Sequence, residues 1–115
     1  MTFPKPTHRT ARQRRRTAYR KNRPSVRAQA FCRDGGRCVW PTCRTALTVA
    51  LAHEHEVVWR GRGGSAVDLT NVVTLCGHCH GGIHPRVGGV VKRLTRDEHG
   101  LHFYERQPDD TWKEM

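Results

Sequence analysis

Two close pairs of cysteines are the residues of this 115-residue sequence whose types and spacing most clearly allow chemistry. Four residues separate Cys38 from Cys43, and two separate Cys76 from Cys79. Such pairs typically each form a short turn, and together they hold one tetrahedral zinc ion through four thiolates. We predict that all four bind one structural zinc, which supplies folding energy and leaves no open position for catalysis. The alternative is that they are free or redox-active thiols.

The fifth cysteine, Cys32, has no such spacing, and we expect a small, half-buried residue that binds no metal. The number of cysteines is odd, and the N-terminus lacks the apolar segment of a secretion signal. Both observations argue against a disulfide framework.

Histidines near the second cysteine pair could hold a different ion. His80 and His84 are four residues apart, so a helix that starts near Gly77 presents both on one face. His80 directly follows Cys79, so a zinc-bound turn would also fix where this helix begins. His78 is predicted to be a surface residue. Taken alone, such a pair more often consists of ordinary surface histidines.

Two histidines and two glutamates alternate between the cysteine pairs. On a strand, His53 and His55 lie on one face, and Glu54 and Glu56 lie on the other. An imidazole or a carboxylate here could bind a metal ion, while a neighbour accepts a proton from water. Asn71 could orient such a base, or it could constrain a loop through hydrogen bonds.

The elements that must position these residues form one small domain. The hydrophobic fraction is only 36%, so the core is modest, and a structural metal is a usual compensation at this size. We expect a basic arm over residues 1–24, a metal-binding domain over 25–88 and a C-terminal hairpin over 89–115. A short helix is predicted from an N-cap at Ser25 to Phe31, with Val26 and Ala30 on its buried face.

Further elements follow from hydrophobic periodicity. Leu47, Val49 and Leu51 alternate with small or polar residues, which predicts a strand, and apolar residues return over 69–75. The helix after the second cysteine pair must be short, because two glycines weaken it and Pro85 cannot continue it.

Segments 90–95 and 101–105 flank a turn at 97–100, which predicts a hairpin. We expect Trp112 to pack this hairpin against the domain.

The charge distribution points to a polyanionic partner, nucleic acid above all. The net charge is +11, and residues 1–24 contain nine Lys or Arg and no acidic residue. This arm is expected to be disordered or partly helical until phosphates order it, the alternative being a tail without function. The predicted nucleic-acid contacts are Arg14, Arg15, Arg16, Arg20, Lys21, Arg23, Arg60 and Arg62. No stretch approaches the roughly 20 apolar residues of a membrane helix, so we expect no membrane partner and a cytoplasmic location.

As an ordered series, these residues resemble the HNH endonuclease family over roughly half of the chain, residues 27–84. The matching motifs are Arg33-Asp-Gly-Gly-Arg-Cys38, a first-histidine segment, Arg62-Gly-Gly-Ser, Asp68-Leu-Thr-Asn71 and Leu75-Cys-Gly-His-Cys-His80. The resemblance implies a small α+β fold, the ββα-metal finger, in which two strands and a helix clasp a divalent ion beside a four-cysteine zinc site. It also implies metal-dependent hydrolysis of DNA in a bacterial or phage-infected cell.

The family pattern fits this sequence in two registers. If its apolar pair corresponds to residues 57–58, His55 is a metal ligand and Glu56 stands at the general-base position. Sliding the pattern by one residue makes Glu54 the ligand and His55 the base, but requires an extra residue in the following loop. Loop length and the apolar match both favour the first register.

In the first register a three-histidine site, similar to that of colicin-type nucleases, binds the catalytic ion (Mg, Mn, Ni or Zn) through His55, His80 and His84. The resemblance assigns catalysis to His55, Glu56, Asn71 and His80, with Asn71 as a positioning residue. An accessible Glu has a pKa of about 4.3 and is a weak base at neutral pH. Glu56 could act through a raised pKa, could bind the metal, or could be an inactivating change. The competing hypothesis is a nonenzymatic, zinc-stabilised nucleic-acid-binding module.

Overall fold

The computed structural model describes residues 10–115, apart from the side chains of residues 18 and 19. The first nine residues of the predicted arm lie outside this range. The described chain is a small α+β protein with two helices and two antiparallel sheets, as expected. The helices are α1 (Ala11–Arg33) and α2 (Gly77–Ile83), and the strands are β1 (His53–Glu56), β2 (Val72–Leu75), β3 (Lys92–Asp97), β4 (Gly100–Arg106) and β5 (Trp112–Glu114).

Helix α1 is much longer than predicted, and Ser25 is not its N-cap. The helix begins after Thr10, whose hydroxyl accepts a hydrogen bond from the Gln13 backbone N–H at 3.1 Å, while the Gln13 side chain accepts one from the Thr10 N–H. This capping box and a run of good helix formers carry the helix through Pro24. Residues 11–24 of the basic arm are therefore helical, and the predicted helix start at Ser25 is wrong.

The C-terminal half of α1 is fixed to β2 as the sequence predicts. Val26 and Ala30 are buried and pack against Val72. Cys32, however, is exposed, contrary to the expectation of a half-buried residue. Two residues beyond Ala30 correspond to a rotation of about 200° around the helix, which turns the thiol away from the core.

The residues after α1 join the helix to β2 through side-chain hydrogen bonds. Arg33 donates to the carbonyl of Leu69 at 2.7 Å and to that of Val72 at 2.5 Å. The Asp34 carboxylate accepts a hydrogen bond from the backbone N–H of Thr74 at 2.9 Å. The conspicuous Arg-Asp-Gly-Gly segment is therefore a structural connection to the strand that carries the core.

The strand predicted over Leu47, Val49 and Leu51 is absent. Residues 48–51 form a turn, in which the Leu51 N–H donates to the carbonyl of Thr48 at 3.1 Å, and Val49 and Leu51 are exposed. The first strand is β1 instead, and it pairs with all four residues of β2, from His53 opposite Leu75 to Glu56 opposite Val72. The Ala52 N–H donates to the same Thr48 carbonyl at 3.0 Å, so the backbone here closes on itself and pairs with no strand of the described chain.

Strand β2 is buried along its whole length. Helix α2 follows β2 in the chain and packs against β1. Helix α2 ends at Ile83, so the predicted short helix is confirmed.

The C-terminal sheet contains the predicted hairpin, β3 and β4, and a third strand, β5, that was not predicted. The predicted packing of Trp112 against the domain is not among the described contacts. The Arg93 guanidinium, from the same sheet, lies 3.9 Å from the centroid of the Trp112 ring. Phe103 makes the docking contact, with its ring edge-on to buried Trp40 at 5.1 Å. The Trp40 indole N–H also donates to Glu105 at 2.7 Å.

Candidate metal centre

The four paired cysteines converge as the sequence predicts. One Sγ atom from each lies within 4.8 Å of the other three, in the cluster Cys38, Cys43, Cys76 and Cys79. The Cys43 and Cys76 sulfurs are 3.8 Å apart. A tetrahedral ion with Zn–S bonds of about 2.3 Å requires sulfur separations of about 3.8 Å, so the cluster has the size of a zinc site.

The surroundings of the four sulfurs differ in how far they favour the thiolate form. The backbone N–H of Cys79 points at the Cys76 sulfur at 3.3 Å, and the Thr45 hydroxyl lies 3.1 Å from the Cys43 sulfur. Hydrogen bonding to Thr45 lowers the pKa of Cys43 to about 6, whereas burial raises the pKa of Cys38 and of Cys79. A divalent cation is the partner that would hold all four as thiolates.

Three histidines form a second cluster, as the first register of the family pattern expects. His55 comes from β1, His80 from the middle of α2, and His84 from its C-cap. One ring nitrogen from each lies within 4.8 Å of the other two. The ring centroids are 5.6 Å apart for His55 and His80, and 5.2 Å apart for the two pairs that include His84. His55 is buried and His84 is exposed, so the cluster opens to solvent on one side.

Burial and crowding favour the neutral, metal-binding form of His55 and His80. Burial, followed by the neighbouring charges of His84 and His80, lowers the pKa of His55 to about 4. Burial, His84 and His53 likewise lower the pKa of His80. Neutral imidazoles with free lone pairs are the species that ligate divalent ions, and their crowding disfavours protonation. His78, on the same helix, is exposed and outside the cluster, as predicted.

The two glutamates of β1 have different surroundings. The Glu54 carboxylate lies 4.0 Å from the Arg23 guanidinium, and burial raises its pKa. Its Oε2 atom is buried without a hydrogen-bond partner. Glu56 lies 3.5 Å from Arg60 and, with the three histidines, lines a cleft of about 630 Å³. The clustering of His55 with the α2 histidines agrees with the register that places Glu56 beside the metal ligands.

Asn71 constrains the loop that follows β1. Its side-chain oxygen accepts from the Val58 N–H at 2.8 Å, and its amide nitrogen donates to the carbonyls of Val58 and Ser65 at 2.8 and 3.1 Å. Gly64 lies against this junction, where an added Cβ would be 1.5 Å from the Val58 oxygen. Of the two roles considered for Asn71, the described hydrogen bonds match the constraint of a loop.

Five of the eight basic residues predicted to contact nucleic acid line one or both of two surfaces. A groove between α1 and the loop at 64–67 is lined by Arg12, Arg15, Arg16, Arg20 and Arg60. Arg23 and Arg60 line the histidine cleft. Arg14, Lys21 and Arg62 are exposed but line neither.

Three basic residues of these surfaces were not predicted. Arg12 lines the groove, and Lys92 and Arg93 of β3 line the histidine cleft. The positive charge of the basic arm was a sequence feature from which a role for Arg12 could have been predicted. Nothing local indicated that β3 would lie beside α2.

Comparisons of the chain with protein-family models, curated proteins and solved structures give no match. Within residues 10–115, no helix has the length and apolar character needed to cross a membrane. The functional interpretation therefore depends on the residues and their geometry.

Proposed function

We propose that this protein is a metal-dependent DNA endonuclease of the HNH type, in which β1, β2 and α2 form a ββα-metal finger. The observation that carries this proposal is the cluster of His55, His80 and His84, with ring nitrogens within 4.8 Å of one another. A nucleic-acid-binding module has no need for three crowded imidazoles at the wall of a cleft.

The histidine cluster fits a divalent ion through its all-nitrogen donor set, the lowered pKa of His55 and of His80, and its open side. A bound ion would supply Lewis-acid stabilisation of the scissile phosphate and the leaving oxygen. Glu56 lines the same cleft and is the group placed to accept a proton from the attacking water. Arg60, 3.5 Å from Glu56, orients this carboxylate and adds positive charge for a phosphate.

The other elements support this chemistry from a distance. Zinc bound by the four cysteines would fix the start of α2, because Cys76 is its N-cap and Cys79 lies in its first turn. The buried amide of Asn71 holds the loop after Glu56 and so acts as a positioning residue.

The arginine groove supports DNA as the substrate. Arg12, Arg16 and Arg20 are spaced by four residues and fall on one side of α1, with Arg60 across the groove. Arg60 also lines the histidine cleft, so the two surfaces adjoin. A DNA backbone bound along the groove is thereby directed towards the metal cluster without any reading of sequence.

The test is cleavage of supercoiled plasmid by zinc-loaded protein with added Mg²⁺, Mn²⁺, Ni²⁺ or Zn²⁺. We expect metal-dependent cleavage that His84→Ala abolishes. His78→Ala is the matched control, because His78 is an exposed histidine of the same helix outside the cluster. Cleavage that survives in His84→Ala contradicts the histidine site. DNA binding without cleavage under every ion would favour the nonenzymatic module.

A further inference from the structure

Trp59 is an exposed tryptophan at the wall of the histidine cleft. It is 63% exposed, whereas Trp40 is fully buried in the core. Single exposed apolar residues are common and need no special cause. The place of Trp59 is unusual, however, because it lines the same cleft as His55, His80 and His84.

The backbone beneath Trp59 is held rigidly. Its carbonyl accepts hydrogen bonds from the N–H groups of Arg62 at 2.9 Å and Gly64 at 3.1 Å. The preceding residue, Val58, is held by Asn71 on both its N–H and its carbonyl. The indole therefore extends into solvent from a loop that hydrogen bonds to Asn71 hold in place. Because this backbone is already ordered, binding a ligand there costs little conformational entropy.

Basic residues outnumber acidic ones in the cleft around the indole, which has Glu54 and Glu56 against Arg23, Arg60, Lys92 and Arg93. The Arg62 guanidinium lies 5.8 Å from its ring centroid, and Arg60 is the next residue in sequence. Arg23 and Arg93 line the same cleft. An aromatic face surrounded by arginines is the combination that binds single-stranded nucleic acid, through base stacking and phosphate contacts together.

We propose that Trp59 stacks on an unpaired base of the DNA strand whose phosphate lies at the histidine cluster. This inference rests on the proposed nuclease function and specifies its substrate class, which is DNA with unpaired nucleotides at the site of cleavage. Bases in an intact duplex are already stacked on both faces and offer no surface to the indole. Stacking is tolerant of base identity, so preference follows DNA structure and not sequence.

The first test measures binding without added divalent ions, by fluorescence anisotropy of a labelled single strand and of the same sequence as a duplex. We expect Trp59→Ala to weaken single-strand binding by about fivefold to a hundredfold, the range found for loss of one stacked base. Trp59→Phe retains most of the affinity, and duplex binding changes less than about twofold. Leu51→Ala, which removes an exposed apolar residue outside the cleft, is the matched control.

Three results overturn the inference: no single-strand binding by the unaltered protein, no effect of Trp59→Ala, or an equal loss for single strand and duplex. Thermal melting of each variant shows whether the fold is retained, as expected for a side chain that is 63% exposed.

Cleavage assays separate this inference from the proposed function. One outcome is that the unaltered protein fails to cut while Trp59→Ala selectively loses single-strand binding. That outcome supports stacking and contradicts the proposed nuclease function. The other outcome is that the protein cuts single strands and duplexes and that Trp59→Ala has no effect. That outcome overturns stacking and retains the proposed nuclease function.

Discussion

At the residue scale, the chemistry depends on how β1 distributes its side chains. His55 turns inward to the α2 histidines, and the next residue, Glu56, lines the cleft beside Arg60. A ligand and a proton acceptor at adjacent positions can thus serve one site.

Replacing Glu56 tests its role as proton acceptor. We expect Glu56→Gln to lower the cleavage rate by about 10²- to 10⁴-fold, because the amide cannot accept the proton of water. We expect Glu56→His to cut faster than Glu56→Gln, since an imidazole has a pKa nearer to neutrality. Rates are measured under single-turnover conditions, with Glu98→Gln, an exposed carboxylate outside the cleft, as the control. Equal rates for Glu56→Gln and the unaltered protein would show that another group accepts the proton.

Much of the candidate site follows from the sequence, because its signals are local. Cysteine spacing sets the turns, and the four-residue spacing of His80 and His84 brings both to one side of a short helix. The contribution of Arg93 could not be predicted, since it depends on the docking of Phe103 against Trp40, a contact between residues far apart in sequence.

At the element scale, the cysteine cluster ties together two parts of the chain. Cys38 and Cys43 come from the segment after α1, whereas Cys76 caps α2 and Cys79 belongs to it, the helix that also contains His80. Cys38 and Cys79 are also part of the main core, in contact with Leu75 and Leu94.

Loss of the zinc ligands should unfold this core. Structural zinc contributes about 10–16 kcal/mol in zinc-finger peptides, comparable with the whole stability of a small domain. We expect Cys79→Ser, or treatment with a strong chelator, to abolish the cooperative melting transition and to expose Trp40, seen as a red shift of its fluorescence. Cys32→Ser is the control, because Cys32 is an exposed cysteine outside the cluster. A cooperative transition that persists in Cys79→Ser would contradict a structural zinc.

Two element predictions failed for identifiable reasons. Pro24 indicated a boundary, but an upstream capping box and the burial of Val26 and Ala30 outweigh its cost within α1. The alternation at Leu47, Val49 and Leu51 indicated a strand, but a strand needs a partner strand, and the N–H groups of Leu51 and Ala52 donate instead to the Thr48 carbonyl within a turn. Local propensity and periodicity carry no information about either condition.

At the scale of the whole molecule, the positive charge is concentrated where α1 faces the loop after β1. Helix α1 has 23 residues, about 35 Å of length. Its arginines and Arg60 form one groove that adjoins the histidine cleft, so the binding surface and the proposed reaction centre are continuous.

The salt dependence of DNA binding tests this surface. For duplex DNA, each phosphate contact contributes about 0.9 to the slope of log affinity against log salt concentration. We expect the triple variant Arg15→Ala, Arg16→Ala, Arg20→Ala to reduce the slope by about two to three. Arg86→Ala, an exposed arginine outside the groove, should leave the slope unchanged. A slope unaltered by the triple variant would place the DNA elsewhere.

The central claim is that a divalent ion binds among His55, His80 and His84, separate from the ion held by the four cysteines. The most direct measurement is anomalous X-ray diffraction from crystals of zinc-loaded protein soaked in Ni²⁺, an ion that suits imidazole ligands, with data collected at the zinc and nickel absorption edges. We expect zinc density among the four sulfurs and nickel density among the three imidazoles. Zinc at the sulfurs with no ion at the imidazoles would contradict the claim.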